Sequence, residues 1–265
     1  MGYVRHSLEN FASQIVATAF YAFVAILTAR LLGVGGRGEY ALFCSIAALL
    51  ATTLNLGIPS ANVYFYAGKR VPVGRLAANS KALSLAAGVI CLVILLAFRD
   101  VLLRRFLPGF NPTYVWLLLP ITFILVLQSA YGGIALGCRE FRLYNVRQVV
   151  FPAILLVATI ASLFPVNTGV EGAVLARTFV ILVVSVWFVV AVGKRIGAVN
   201  APLDMGLAKD TLAYGMKSHI QNLVCFLNDR LGLFLVSFYA GREAAGLYSV
   251  ATAVVEPALY MAGSF

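Results

Sequence analysis

Apolar runs of about 20 residues, separated by short polar or glycine-containing connections, fill most of the chain, and a helix of that length crosses a bilayer. The pattern predicts helical spans at about 11–32, 39–66, 79–98, 113–137, 148–165, 171–192 and 215–240, with an eighth starting at Gly246. Gly57 and Pro59 interrupt the second span, and Pro120 lies near the start of the fourth. A longer polar connection, 193–213, separates the sixth from the seventh.

One stretch organises the rest. Residues 33–40 read G-V-G-G-R-G-E-Y, and 208 positions later residues 241–248 read G-R-E-A-A-G-L-Y. The shared skeleton is G-x4-G-x-Y: Gly33, Gly38 and Tyr40, then Gly241, Gly246 and Tyr248. Apolar stretches flank both copies, and Ser13-Gln14 falls opposite Gln221-Asn222 at the same offset. Self-similarity at a long period fixes the architecture between the copies. It predicts an all-α, polytopic helical membrane protein with a parallel two-lobe repeat of six or seven transmembrane helices per lobe. Residues 1–208 form the first lobe, six helices with its connecting loop. Residues 209–265 begin a truncated second lobe with helices seven and eight, so the chain reads as an amino-terminal fragment. Six spans separate the copies; an even number sends both lobes into the membrane in the same direction, about an axis along the membrane normal.

Composition agrees: 62% of residues are hydrophobic and 11% charged, where a soluble domain carries roughly 25% charged. The net charge of +10 suggests nucleic acid at first sight, yet the basic residues stand singly or in pairs between apolar runs and form no soluble basic face. Topology accounts for them. Arg5, Lys69, Arg70, Arg75, Lys81, Arg139, Arg142, Arg147, Lys194, Arg195, Lys209 and Lys217 fall on one side, against Arg30, Arg37, Arg99, Arg104, Arg105 and Arg242 on the other. The larger group marks the cytoplasm and places the amino terminus there. A full-length span follows Glu9 and Asn10, which predicts a retained first helix rather than a cleaved signal peptide. Cys44, Cys91, Cys138 and Cys225 are scattered without metal-ligand spacing, so neither a metal nor another cofactor is expected. No hydrolase, metalloprotease or Walker sequence appears, so the chain is not expected to be an enzyme.

Polar positions inside the spans fall on lines. Gln14, Tyr21 and Thr28 lie seven apart on span one, Asn222 and Asp229 seven apart on span seven, and Ser45, Thr52, Asn55, Pro59 and Asn62 on one side of span two. Such residues hydrogen-bond helices together in most bundles; three stripes in two lobes also fit a hydrated cavity. Ionisable groups within spans cost more, and Arg177, Asp229, Arg230 and Glu256 stand out. By helix rise Asp229 and Glu256 sit roughly 16 and 15 Å below the same surface, on consecutive helices. They are candidates for ion coupling, with a proton or a sodium ion as the compensating cation. In the competing reading Arg230 neutralises Asp229, Arg177 neutralises Glu256, and both pairs are structural.

Two stretches of the amino-terminal half, A-R-L-L-G-V-G-G-R-G-E-Y-A at 29–41 and N-L-G-I-P-S-A at 55–61, carry a family likeness. G-C-R-E-F-R-L-Y-N at 137–145, N-D-R-L-G at 228–232 and A-G-R-E-A-A-G-L-Y-S-V-A at 240–251 extend it. The chain resembles Wzx-type polysaccharide (O-antigen or teichoic acid) flippases of the superfamily that also holds lipid II flippases and multidrug and toxin extruders. The resemblance implies an inner-membrane carrier of undecaprenyl-pyrophosphate-linked oligosaccharide, working by alternating access alongside polysaccharide polymerase machinery and membrane lipids. It also implies a cationic cavity, to which Arg30, Arg177 and Arg230 could contribute; the polar stripes put Gln14, Tyr21, Asn55 and Asn222 along the substrate pathway. A cation-coupled multidrug extruder is the alternative within the superfamily, and a membrane-embedded glycan polymerase or ligase the alternative outside it.

Overall fold

The computed structural model describes residues 2–68, 71–106, 111–164, 168–197 and 201–262, with side chains omitted at 2–8, 105–106 and 256–262. Every element among them is helical: α1 (Gly2–Leu54), α2 (Ile58–Ala67), α3 (Val73–Val101), α4 (Thr113–Gly137), α5 (Phe141–Leu163), α6 (Gly169–Arg195) and α7 (Met205–Ala262), with a π-helical turn at Leu102–Phe106. Six of the helices are long and apolar enough to cross a membrane.

Two of these are far too long for one crossing. Straight helices of 53 and 58 residues would run about 80 and 87 Å, against a hydrocarbon core of about 30 Å. Each is folded at a glycine: Gly33 at φ 68°, ψ 178° and Gly241 at φ 83°, ψ −179°. Only glycine adopts that backbone readily. The chain reverses there, since Gln14 and Ala48 line one cavity and the Tyr248 hydroxyl lies against Gly232. Each long helix is thus a hairpin of two arms. The turn that the sequence places across 33–40 is a single residue, and Gly38 and Tyr40 already belong to the second arm.

Other boundaries also move. Leu56 and Gly57 take left-handed φ of 48° and 70°, and the Asn55 side chain accepts a hydrogen bond from the Gly57 amide at 2.8 Å. The helix ends there and α2 restarts with Pro59 in its first turn, where a missing amide proton costs nothing. Helix α5 begins at Phe141 rather than near residue 148, which makes Arg142 and Arg147 helical. The polar connection predicted over 193–213 is overrun at both ends, since α6 runs on to Arg195 and α7 starts at Met205. The Asp204 carboxylate caps α7 by accepting from the Leu207 amide at 3.0 Å. Its backbone amide donates to the Asn79 side-chain oxygen at 3.0 Å, and its carbonyl accepts from the Asn79 amide group at 2.8 Å. Asn79 is buried, and Arg75 adds an ion pair to Asp204 at 3.4 Å. The start of α7 is therefore fastened to α3.

Helix α4 is the axis of the amino-terminal bundle and the most deeply buried of the six membrane-length helices. Gly133 lets the Pro59 backbone of α2 approach so closely that a Cβ would fall 2.7 Å from the Pro59 Cα. Buried polar groups tie the helices: the Asn62 amide group donates to Ser80 at 2.9 Å and to the Ala130 carbonyl at 3.0 Å, and Ser185 donates to Gln128. The outer helices keep apolar exposed faces, Leu85, Val89, Val93 and Leu96 on α3 and Leu175, Phe179, Val183, Val186 and Val190 on α6. Stripes at this spacing suit hydrocarbon. The chain is a polytopic helical membrane protein.

Between α1 and α7 the two motif copies meet. A Cβ on Gly38 would overlap the Arg242 carbonyl oxygen, and a Cβ on Gly246 would overlap the Val34 carbonyl oxygen. Gly38 and Gly246 are repeat partners, and so are Val34 and Arg242, so the contact is reciprocal. Close backbone approach at small residues is how membrane helices gain packing without a hydrophobic drive. We refer to this as the kink end; at the other, the Asp204 end, Gly57 and Gly215 pack backbone to backbone.

Candidate functional site

A cavity of about 590 Å³ lies between the two hairpins and α5 and α6. The first arm of α1 contributes Gln14, Thr18 and Tyr21, its second arm Arg37, Tyr40, Cys44 and Ser45, and α7 contributes Arg230, Ser249 and Thr252. Arg147, Gln148 and Phe151 enter from α5, and Arg177 from α6. Among the described residues the lining holds four arginines and no Asp or Glu.

Arg37, Arg147 and Arg177 rest against neutral groups. Arg37 is buried at 9% exposure; its Nη1 donates to Thr28 Oγ1 at 2.8 Å and its Nε to Ser249 Oγ at 3.2 Å. Both hydroxyls can only accept, because Thr28 gives its proton to the Val24 carbonyl at 2.7 Å and Ser249 gives its own to the Gly246 carbonyl at 2.8 Å. Arg177 Nη1 donates to the Tyr40 hydroxyl at 3.4 Å. The guanidinium carbons of Arg37 and Arg177 lie 5.8 and 5.9 Å from the centre of the Tyr40 ring, within cation–π range. Arg147 rests 5.4 Å from the Tyr144 ring and 5.5 Å from that of Phe188, its Nε buried without a hydrogen-bond partner. Arg147 also borders a second cavity of about 270 Å³ within the bundle, lined by Pro59, Ser60, Gln128, Ser129 and Tyr144 among others. Cationic groups brought together in a lining that holds no Asp or Glu among the described residues make a low-dielectric space that favours an anion.

Burial changes along the cavity. Arg37 and Ser249 are buried towards the kink end, whereas Gln14 is exposed towards the Asp204 end; midway along, Ser45 is buried and Tyr21 is 43% exposed. Tyr21 faces Phe151 with ring centres 6.3 Å apart.

Of the residues that the sequence singles out, Gln14, Tyr21, Arg177 and Arg230 are brought together on the cavity wall, and Thr28 lies just behind it bonded to Arg37. Arg30 is exposed outside the lining, because it follows the buried Thr28 by two residues and so points to the other side of the arm. Asn55 is spent on capping the helix break, and Asn222 and Asp229 are exposed away from the cavity, one residue out of phase with Arg230. The side chain of Glu256, the proposed partner of Asp229, lies outside the described residues. Gly33, Gly241, Gly38 and Gly246 form the kinks and the contact between them; Tyr40 lies on the cavity wall, and its repeat partner Tyr248 packs on Gly232. In the sequence Arg37 and Arg147 read as topological charges only. Arg37 stands inside the repeated motif, opposite Ala245, and that departure from the repeat was the available signal.

The family described as polysaccharide biosynthesis protein matches residues 4–259. None of the curated protein sequences compared with the chain matches it. Among solved structures, a MATE in complex with Br-NRF superposes with a TM-score of 0.70 at 21% identity over 98% of this chain. The outward-facing conformation of a multidrug resistance MATE family transporter of the MOP superfamily gives 0.71 at 20% identity over 98%. A MOP superfamily transporter from Pyrococcus furiosus, whose reverse polarity of binding pocket is said to suggest a different function, gives 0.65 at 20% over 94%. The chain spans 66%, 62% and 62% of those three proteins.

Proposed function

The chain belongs to the polysaccharide biosynthesis protein family, and from that membership and the basic cavity we propose that it serves to flip an undecaprenyl-pyrophosphate-linked oligosaccharide across the bacterial inner membrane by alternating access. The observation that carries the reading is the four-arginine lining without Asp or Glu among the described residues. A pyrophosphate group crossing hydrocarbon needs fixed positive charge and a wet path, while its polyprenyl tail stays in lipid. Arginine suits this task because its planar fork binds phosphate oxygens in pairs. The charge count puts the Asp204 end in the cytoplasm, where the lining is most exposed and where a cytoplasmic substrate would enter. A multidrug extruder would be expected to concentrate negative charge, and this lining repels organic cations. In the same proposal Asp229 and Glu256 couple transport to a proton or sodium gradient. Full gradient-driven transport in the Asp229→Asn, Glu256→Gln double variant would remove that part alone.

Cys44 lies in the lining and offers a direct test. In protein with Cys91, Cys138 and Cys225 replaced by serine, a sulfonated methanethiosulfonate should modify Cys44 about tenfold faster or more than a trimethylammonium one, each rate taken relative to free thiol. Inorganic pyrophosphate should protect Cys44 and tetraphenylphosphonium should not. The reverse order of rates would move the protein to the extruder reading.

A further inference from the structure

Arg37 is bound to both sides of a contact that alternating access must break. One of its donors holds Thr28 on its own hairpin, and the other crosses to Ser249 on α7. The Gly38 and Gly246 contact beside it is made of backbone alone. Its repeat partner is Ala245, fully buried and unable to bond, so the crossing is one-sided. Arg37 also shares the Tyr40 ring with Arg177, so an anion that engages Arg177 is within reach of Arg37.

Resting on the anion reading of the cavity, we propose that Arg37 is the residue through which a bound phosphate-type anion releases the kink-end contact between α1 and α7. The competition favours release. Ser249 is a neutral acceptor at 3.2 Å, whereas a phosphate oxygen offers a shorter bond with charge on both partners. Once Arg37 turns to the anion, the side-chain bond to Ser249 is lost and the glycine contact holds with backbone packing alone. An empty cavity keeps the latch closed.

The experiment follows the kink end by disulfide trapping. A Cβ on Gly35 lies 3.8 Å from Cγ of Glu243, so a Gly35→Cys, Glu243→Cys pair reports the closed contact once the four native cysteines are serine. Inorganic pyrophosphate should slow trapping roughly fivefold or more. Ser249→Ala should trap slowly without the anion and respond to it less than twofold, and Ser249→Thr, which keeps the hydroxyl, should restore both the rate and the response. Arg37→Lys retains the charge but cannot bridge Thr28 and Ser249, and it should behave like Ser249→Ala. Trapping that is unchanged by pyrophosphate, at concentrations that shield Cys44, overturns the latch and leaves the anion cavity standing. Failure of pyrophosphate to shield Cys44 overturns the anion reading and its trigger together.

Discussion

Reversing the charge at Arg177 is expected to stop transport without removing the protein from the membrane. In the Arg177→Glu variant, translocation of a polyprenyl-pyrophosphate-linked sugar by reconstituted protein should fall about 100-fold or more, since one desolvated hydrogen bond to a charged group is worth about 1.5–3 kcal/mol and reversal adds repulsion. Arg177 binds Tyr40 and stands in a lining that has three other arginines, so a glutamate there finds cationic partners and need not unfold the bundle. Arg177→Lys should keep part of the activity, because a point charge remains but the fork is lost. Abundance, read by quantitative blotting, separates lost transport from lost folding. Wild-type flux through Arg177→Glu protein would place the substrate path elsewhere.

A single methyl group at Gly38 should have the next largest effect. In Gly38→Ala the new Cβ overlaps the Arg242 carbonyl oxygen and sits 2.9 Å from the Gly246 nitrogen, both backbone atoms that cannot rotate away. The hairpins must separate at the kink end, at a cost of about 1–3 kcal/mol as in other overpacked sites. Disulfide trapping of the Gly35→Cys, Glu243→Cys pair should fall accordingly. Gly246→Ala should do the same, and the double variant should cost less than the sum, since one separation relieves both overlaps. Gly193→Ala is the control: its Cβ meets only Tyr131 at an ordinary 3.9 Å, and alanine favours the helix. Normal trapping in Gly38→Ala would show that the glycine contact does not govern closure.

The repeated motif made both chain reversals legible but spread each over eight residues, because glycines recur at 38 and 246 as well as at 33 and 241, where the structure bends at one residue. The heptad line on the first span was legible too: Gln14 and Tyr21 line the cavity and Thr28 backs it. Its copy on the seventh span was not. There the cavity is faced by Arg230 and Leu233 rather than Asn222 and Asp229, a rotation of about 100° that pattern alone could not supply. Asn55 failed for a local reason, since the break at Leu56 and Gly57 ends the helical wheel on which it was placed. Arg147 was hidden by a boundary: with α5 starting at residue 148 it is a loop charge, and with α5 starting at Phe141 it lies on the helix and enters the cavity.

The fastening of Asp204 to Asn79 has a mechanical consequence. A helix clamped at its first turn cannot slide past its neighbour; it can only swing about the clamp. From residue 205 to residue 240 the arm is about 54 Å long, so a tilt of about 10° carries its far tip through roughly 9 Å while the clamped turn barely moves. The longest excursion therefore falls on the glycines at the kink end, and the shortest on the loop that the swing depends on.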